Sequence, residues 1–406
     1  MGKCLVCSHS KVTCQLELGA HPVSNHFAAT ASKSNKLYDI DLGICPQCGT
    51  IQLFQPLPYE ALVSPYDWFT YREPEGHLDD LVAKVMSLLG IHHSSRILGI
   101  STKDESTIER FSKLGFTKTS VLNASVDLGI VTRNAGVESV QHHLNNECAY
   151  NWVTETGRSD VVIARHILEH AEDVHGFISA LTTLLVDDGY IVIEVPDCLA
   201  NLERQDITMV WEEHTVYFTP DSFRNLFAEI GLDVILYENY PQSFENCLVV
   251  IGRKRPVKTQ KIDQTLVSSS SALDVFHEYV NSFTNWREKY RSYLEQYINQ
   301  GGKVALYGAG HLSCAFVNYY GLADLVSFVI DDTPEKQGLF LSGSNLSIVS
   351  SEFLITEEIT LCLMGLSPDI EDKVIAKNAS FFRAGGEFLS IFVASKRSIR
   401  SAMQSV

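Results

Sequence analysis

Residues 96–125, RILGISTKDESTIERFSKLGFTKTSVLNAS, decide the fold class. RILGI predicts a strand, ESTIERFSKLG predicts a helix that ends at a glycine, and TSVLNAS predicts a second strand. The alternation continues at residues 159–196 with the strand SDVVIAR, the helix DVHGFISALTTLLVDDG at 173–189 and the strand YIVIEVP. Strands that alternate with helices in this way build a parallel, doubly wound, Rossmann-like α/β sheet.

The flanking segments extend this unit on both sides. GHLDDLVAKVMSLLG at residues 76–90 has apolar residues at helical spacing up to Leu89, which predicts an amphipathic helix before the first strand. After the alternation, SFRNLFAEIGLDVILYENY and CLVVIGRK predict a helix and two strands that close the sheet. We therefore assign residues 61–255 to one α/β domain.

The rest of the chain divides into three further parts. The first 60 residues form a head, in which KLYDIDLGI and TIQLFQPL predict short strands. The polar, serine-ending stretch at 253–270 is typical of a linker, and a helical pattern follows it, so we assign 256–300 to a linker and helical segment. In residues 301–406, KVALYGAGHLSCAFVNYYG and LVSFVIDD predict a second, smaller Rossmann-like unit.

Composition excludes several classes of partner. The 32 Lys and Arg against 49 Asp and Glu give a formal net charge of −17. Duplex nucleic acid and anionic lipid both favour a basic surface, so neither is expected as the main partner. No run approaches the roughly 18 apolar residues of a membrane span, and MGKCLVCSHS lacks the apolar region of a signal peptide. A cytoplasmic protein without membrane contact is expected.

Four of the ten cysteines have metal-ligand spacing. They form the two pairs CLVC and CPQCG, namely Cys4, Cys7, Cys45 and Cys48. Two CxxC pairs can supply the four thiolates of a tetrahedral, structural Zn²⁺ site, and such a site leaves no position open for catalysis. The other six cysteines are scattered singly and are interpreted as small apolar residues.

Several motifs together resemble a known family. RHILEHAED, DDGYIVIEVPD and WEEHTVYFTPDSFRNLFAEIGLDV follow one another, and GAGH and DDTPEKQG lie in the C-terminal unit. With the cysteine quartet, they resemble the sugar C-methyltransferases that act on nucleotide-linked deoxysugars. This resemblance covers nearly the whole chain. It implies a zinc head, an S-adenosylmethionine-binding domain and a second α/β domain.

The resemblance also implies catalytic residues. In such enzymes a base removes a proton next to the carbonyl of a keto sugar, and the enolate attacks the sulfonium methyl group. His214 matches the base, with Glu213 beside it, and His170 and Tyr66 match residues on the enolate side. The family usually has a tyrosine where this chain has Trp211. The missing hydroxyl could come from Tyr66 or from a further tyrosine, Tyr217.

The expected cofactor site departs from the family pattern. An acidic residue and glycines normally follow the first strand, whereas this chain has Gly99 and Ser101. At the end of the second strand, Asn123 replaces the acid that binds the ribose hydroxyls. Arg165, at the end of the strand SDVVIAR, is assigned to the same cofactor-binding edge.

These departures leave two alternatives to C-methylation. A chain that kept the base without the methyl donor would be a keto-sugar epimerase or isomerase. A non-catalytic sugar-nucleotide-binding protein is the other alternative, and the presence of His170, Glu213 and His214 weighs against it.

The C-terminal unit is expected to bind the nucleotide diphosphate of the substrate. Its glycines would let a helix N-terminus approach phosphate. The residues expected near the phosphates are Gly308, Gly310, His311 and Lys336. A functional NAD site is not expected, because GAGHLS lacks the third glycine of the dinucleotide fingerprint.

Overall fold

The computed structural model describes residues 2–9, 11–30, 36–68, 75–132, 134–230, 232–255 and 270–404. Most of the predicted linker, residues 256–269, lies outside the described residues. Within the described ranges the strands form three sheets. None of the helices in these ranges combines the length and the apolarity needed to cross a membrane.

The elements are numbered in chain order. The strands are β1 (Thr13–His21), β2 (Tyr38–Ile44), β3 (Ile51–Leu53), β4 (Arg96–Gly99), β5 (Lys118–Val121), β6 (Ser159–Arg165), β7 (Leu185–Asp197), β8 (Val216–Tyr217), β9 (Asp233–Tyr240), β10 (Asn246–Arg253), β11 (Val304–Tyr307), β12 (Val329–Ile330), β13 (Ile348–Val349), β14 (Leu361–Met364) and β15 (Glu387–Ser390). The α-helices are α1 (Tyr59–Leu62), α2 (Leu78–Met86), α3 (Glu105–Lys113), α4 (Val137–His143), α5 (Asn146–Thr156), α6 (Val174–Thr183), α7 (Leu199–Glu203), α8 (Pro220–Ile230), α9 (Ser270–Asn299), α10 (His311–Tyr320), α11 (Phe353–Thr356), α12 (Glu371–Lys377), α13 (Ala379–Arg383) and α14 (Ile399–Met403).

The central sheet confirms the predicted fold class. Its strand order is β5-β4-β6-β7-β10-β9, in which the first four strands are parallel and β10 is antiparallel to both of its neighbours. Functional side chains are expected at the carboxyl ends of β4, β6 and β7, because ligands of open α/β sheets bind at that edge.

Two predicted helices are shorter than the sequence suggested. The helix predicted at 173–189 ends as α6 at Thr183, and β7 already begins at Leu185. Asp188 has a φ of 65°, a left-handed conformation that a helix cannot contain. Similarly, α2 ends at Met86, which leaves Leu89 81% exposed rather than on a buried face.

The head sheet includes one strand, β8, that is distant from the other three in the sequence. Its order is β1-β2-β3-β8, all antiparallel, and Ile51 of β3 pairs with Tyr217 of β8. The segment that follows the predicted base, His214, is therefore hydrogen-bonded into the head.

The C-terminal sheet is entirely parallel, with the order β13-β12-β11-β14-β15. One apolar core joins it to the head, because Leu42, Tyr217 and Phe316 belong to the same buried cluster. The head and the C-terminal sheet thus share a core that includes Tyr217, three residues after His214.

Candidate active site

The four predicted zinc ligands lie together. Their sulfur atoms all lie within 4.8 Å of one another, with Cys4 Sγ 3.6 Å from Cys48 Sγ and Cys7 Sγ 3.5 Å from Cys45 Sγ. A tetrahedron with Zn–S bonds of about 2.3 Å has sulfur–sulfur edges of about 3.8 Å. The quartet therefore fits a structural Zn²⁺, and all four cysteines are free of disulfides.

A loop of the head reaches two buried carboxyl groups. The Ser24 N–H donates to Glu212 Oε1, and Asn25 Nδ2 donates to Glu213 Oε1 at 2.8 Å. All four residues are buried. The head therefore helps to hold Glu212 and Glu213, the two residues that precede His214, in place.

The turn that carries His214 is fixed from several sides. The His214 N–H donates to the Trp211 carbonyl at 3.0 Å, and the next residue, Thr215, donates its N–H to Glu169 O at 2.7 Å. The Tyr217 hydroxyl accepts from the Trp211 N–H at 3.1 Å and donates to the Trp211 carbonyl at 2.8 Å. His214 is 8% exposed and its backbone has little freedom to move.

His214 lines a small cavity of about 160 Å³, which we call the inner cavity. Its lining also includes His166, His170, Trp211, Glu213 and His311. The His170 and His214 rings meet edge to face, with centroids 4.8 Å apart. Trp211 stacks on His311 of the C-terminal unit at 4.1 Å. The inner cavity therefore lies where the central sheet meets the C-terminal unit.

A second, larger cavity lies beside it. The outer cavity, about 350 Å³, is lined among others by Ser64, Tyr66, Lys103, Gly136, Glu138 and Glu213. Lys103, Val137, Glu138 and Glu213 line both cavities, so these four residues form the wall between them. Two ligands could therefore meet at this wall.

Burial sets the charge states near the wall. Burial, together with Lys103 and His166, lowers the pKa of His170 to about 3, so this imidazole is neutral at pH 7. Burial and the neighbouring Glu138 and Glu212 raise the pKa of Glu213 well above its usual range. The site thus combines a neutral imidazole with a carboxyl group that retains its proton.

Comparisons with known proteins match three parts of this chain. Three family models match successive segments: "Putative zinc binding domain" at residues 4–62, "Methyltransferase domain" at 75–237 and "C-methyltransferase C-terminal domain" at 256–392. The three matches confirm the predicted resemblance to C-methyltransferases with a zinc head, and they support Zn²⁺ and S-adenosylmethionine as cofactors.

The chain is similar to a protein from Streptomyces niveus. The C-methyltransferase NovU is 22% identical over 401 residues, which cover 95% of this chain and 94% of NovU. Among solved structures, 1,6-didemethyltoxoflavin-N1-methyltransferase from Burkholderia thailandensis is 14% identical, with a TM-score of 0.30 over 45% of this chain and 80% of that one. Magnesium protoporphyrin IX methyltransferase from Synechocystis is 13% identical, with a TM-score of 0.29 over 44% and 81%.

The loop after β4 is built around Asp104. Its Oδ2 accepts from the Ile100 N–H at 2.8 Å and the Ser101 N–H at 3.0 Å, and burial raises its pKa to about 7. A side chain at Gly99 would come within 2.8 Å of Asp104 Cβ, so the glycine makes room for this carboxyl group. Ser101 is buried and caps the short turn through a bond from the Lys103 N–H.

The outer cavity lies beside this loop. At about 350 Å³ it is within the range of small-molecule pockets, and Thr102 and Lys103 of the loop line it. A methyl donor bound in this cavity would contact these two residues together with Gly136 and Val137.

None of the four residues assigned to the cofactor, namely Gly99, Ser101, Asn123 and Arg165, lines the outer or the inner cavity. Arg165 is buried, donates from Nε to Glu194 Oε2 at 2.7 Å and from Nη1 to the Lys103 carbonyl at 2.9 Å. Arg165 therefore stabilises the loop after β4 and lines neither cavity. Asn123 is exposed and accepts from the N–H groups of Ser125 and Val126.

The predicted tyrosines occupy different places. Tyr66 lines the outer cavity, and its hydroxyl donates to the Phe27 carbonyl at 2.9 Å. His170 lines the inner cavity, so the two are not brought into one cavity. Tyr217 is fully buried against the Trp211 backbone and supports the turn.

The residues predicted to bind the phosphates of the substrate also lie in different places. His311 lines the inner cavity, and Gly310 precedes it as the first residue before α10. Gly308, with a φ of 101°, lines a separate cavity of about 510 Å³ at the carboxyl ends of β11 and β12. Lys336 donates to Asp331 Oδ2 at 2.9 Å and to the Ala309 carbonyl at 2.7 Å, which holds it against the turn after β11.

The structure adds three residues that the sequence analysis missed, namely Asn25, Lys103 and Glu138. Each lies in a segment without a recognisable motif. Glu138 precedes two histidines in VESVQHH, but nothing in that spacing points to a site. Their common feature is a polar side chain that lines the outer cavity, which only the fold reveals.

Replacing Asn25 tests the contribution of the head loop. Asn25→Ala removes the donor to Glu213 and should lower the rate of methyl transfer about fivefold to a hundredfold, since leaving a buried acceptor without its partner costs about 1–3 kcal/mol. Zinc content should remain that of the wild type. Steady-state kinetics with Asn151→Ala, an exposed change on α5, provides the control. Unchanged turnover in Asn25→Ala would show that the head loop does not support the site.

Proposed function

We propose that this protein transfers a methyl group from S-adenosylmethionine to a carbon atom of a nucleotide-linked keto-deoxysugar. One observation carries the proposal. His214 lies on a hydrogen-bonded turn and lines the inner cavity, which shares four lining residues with the outer cavity. A base for the sugar and a place for the methyl donor are thus adjacent.

His214 acts as the general base. It takes the proton from the carbon next to the sugar carbonyl, the C–H electron pair moves into the enolate, and the imidazole becomes imidazolium. The neutral His170, whose ring centroid is 4.8 Å from that of His214, faces the same cavity and offers a neutral hydrogen-bonding group to the sugar. When bound, S-adenosylmethionine supplies an electrophilic methyl group to the enolate carbon.

The C-terminal unit holds the nucleotide part of the substrate. His311 lies at the first turn of α10 and stacks on Trp211, so the helix N-terminus faces the inner cavity. The N–H groups and the dipole of a helix N-terminus favour a diphosphate. This local attraction is needed, because the net charge of −17 opposes the approach of an anionic substrate.

A keto-sugar epimerase is the second candidate. Asn123 turns its side chain into its own loop and Gly99 supplies no carboxylate, so two acidic contacts to the methyl donor are missing. The same base, followed by return of a proton to the other face of the sugar, would then invert one carbon.

Solvent exchange separates the two functions. The wild type is incubated in D₂O with dTDP-, GDP- and CDP-linked keto-deoxysugars, with and without S-adenosylmethionine, and products are followed by mass spectrometry. Deuterium uptake at the carbon next to the carbonyl is expected with one of the sugars, and a C-methylated product is expected once the methyl donor is added. Exchange with an inverted carbon and no methylation would instead identify the epimerase.

A further inference from the structure

Glu138 is a buried acid in the first turn of α4, and it is 7% exposed. Its carboxyl group folds back over the start of the helix, where a Cβ at Gly136 would lie 2.3 Å from Glu138 Oε2. Gly136 has a φ of −96°, which any residue can adopt, so its space rather than its backbone requires a glycine. The chain thus leaves room at 136 for the carboxyl group of Glu138.

Glu138 is paired with a second acid across the wall. A carboxyl oxygen of Glu138 lies within 4.8 Å of one of Glu213, and Glu213 Oε1 accepts from Asn25 Nδ2 at 2.8 Å. Two carboxyl groups this close in a buried site disfavour double ionisation, so the pair retains a proton. Lys103 from the loop after β4 faces both acids and offsets the remaining negative charge.

This pair faces the reacting region. Glu138 and Glu213 line both the inner and the outer cavity, and His214 lines the inner one. Glu138 Oε1 lies 3.9 Å from His170 Nδ1, a buried ring nitrogen that has no hydrogen-bond partner among the described residues. The polar groups around the wall are therefore incompletely satisfied by the protein itself, and a polar ligand atom could complete them.

We propose that Glu138 is a further catalytic residue, and that the protonated member of the Glu138–Glu213 pair donates its hydrogen bond to the carbonyl oxygen of the substrate. As the C–H bond breaks, negative charge develops on this oxygen and the hydrogen bond strengthens. The proton of this hydrogen bond stays on the carboxyl pair, while the proton from carbon goes to His214. A carboxylic acid kept neutral by its site can stabilise an enolate in this way. The inference rests on the proposed function.

The test measures C–H exchange of the keto sugar in D₂O and methyl transfer in three variants. Glu138→Gln replaces the acid by a far weaker donor and should lower kcat about a hundredfold to a thousandfold, with KM changed less than about threefold. Gly136→Ala, which displaces the carboxyl group without removing it, should lower kcat in the same direction. Glu147→Gln removes an exposed acid from the equivalent first turn of α5 and should leave kcat within about twofold.

Zinc content and the thermal unfolding midpoint are measured for every variant, so that a folding defect is recognised. The inference is overturned if the wild type is active and both Glu138→Gln and Gly136→Ala retain kcat within about threefold. It is also overturned if KM alone rises. If the wild type shows neither exchange nor methylation with any keto sugar, the proposed function fails, and the inference fails with it.

Discussion

His214→Ala is expected to lower C-methyl transfer by about a hundredfold to ten-thousandfold, which is the usual contribution of a general base. The side chain opens into the inner cavity from a turn that Trp211, Tyr217 and Glu169 hold in place. Because these contacts involve the backbone of the turn, removal of the imidazole should leave the fold and the zinc content intact. Single-turnover kinetics with a keto sugar would measure the loss.

The control for this variant is His277→Ala, which removes an exposed histidine on α9. It should retain the rate of the wild type. Near-normal turnover in His214→Ala, with deuterium exchange also preserved, would remove His214 as the base. Loss of exchange together with methyl transfer would place the defect at proton removal, before the methyl group is transferred.

Loss of zinc is expected to have the second large effect. Cys45→Ser should abolish stoichiometric zinc binding and lower methyl transfer at least about a hundredfold. In small structural sites the free energy of zinc binding, about 10–16 kcal/mol, is also free energy of folding. The head that zinc stabilises carries Ser24 and Asn25, which donate to the two acids before His214. Elemental analysis and activity assays on the same preparation would measure both losses.

Cys14→Ser is the matched control, because Cys14 lies on β1 of the same sheet and outside the quartet. It should keep one zinc ion per chain and normal activity. A Cys45→Ser protein that lacks zinc but methylates at the rate of the wild type would contradict the link between the head and the active site.

The fold class was predictable because it depends on local patterns. SDVVIAR gives β6 with the predicted bounds, Ser159–Arg165, since a short apolar run that is rich in β-branched residues favours a strand over a helix. The zinc quartet was equally predictable, because the spacing within each CxxC pair places two thiolates on one metal ion. Helix ends were less predictable: Asp188 in a left-handed conformation and the exposed Leu89 both depend on how the chain turns after the helix.

The composition of the wall could not be predicted from the sequence. Asn25 and Glu213 are separated by 188 positions, and their hydrogen bond exists only because the head sheet includes β8. Glu138 likewise meets Glu213 only after α4 packs beside the central sheet. Tyr66 and His170 were expected to act together, yet the fold places them in neighbouring cavities. Long-range packing decides each of these contacts.

The most direct test of the proposed chemistry is mass spectrometry of a keto sugar that carries deuterium at the carbon next to its carbonyl. The labelled nucleotide sugar is incubated in H₂O with the wild-type protein and S-adenosylmethionine. We expect a product in which one methyl group has replaced one deuterium atom at that carbon, with S-adenosylhomocysteine formed in equal amount. A methylated product that retains the deuterium, with the methyl group on oxygen or on another carbon, would contradict the account.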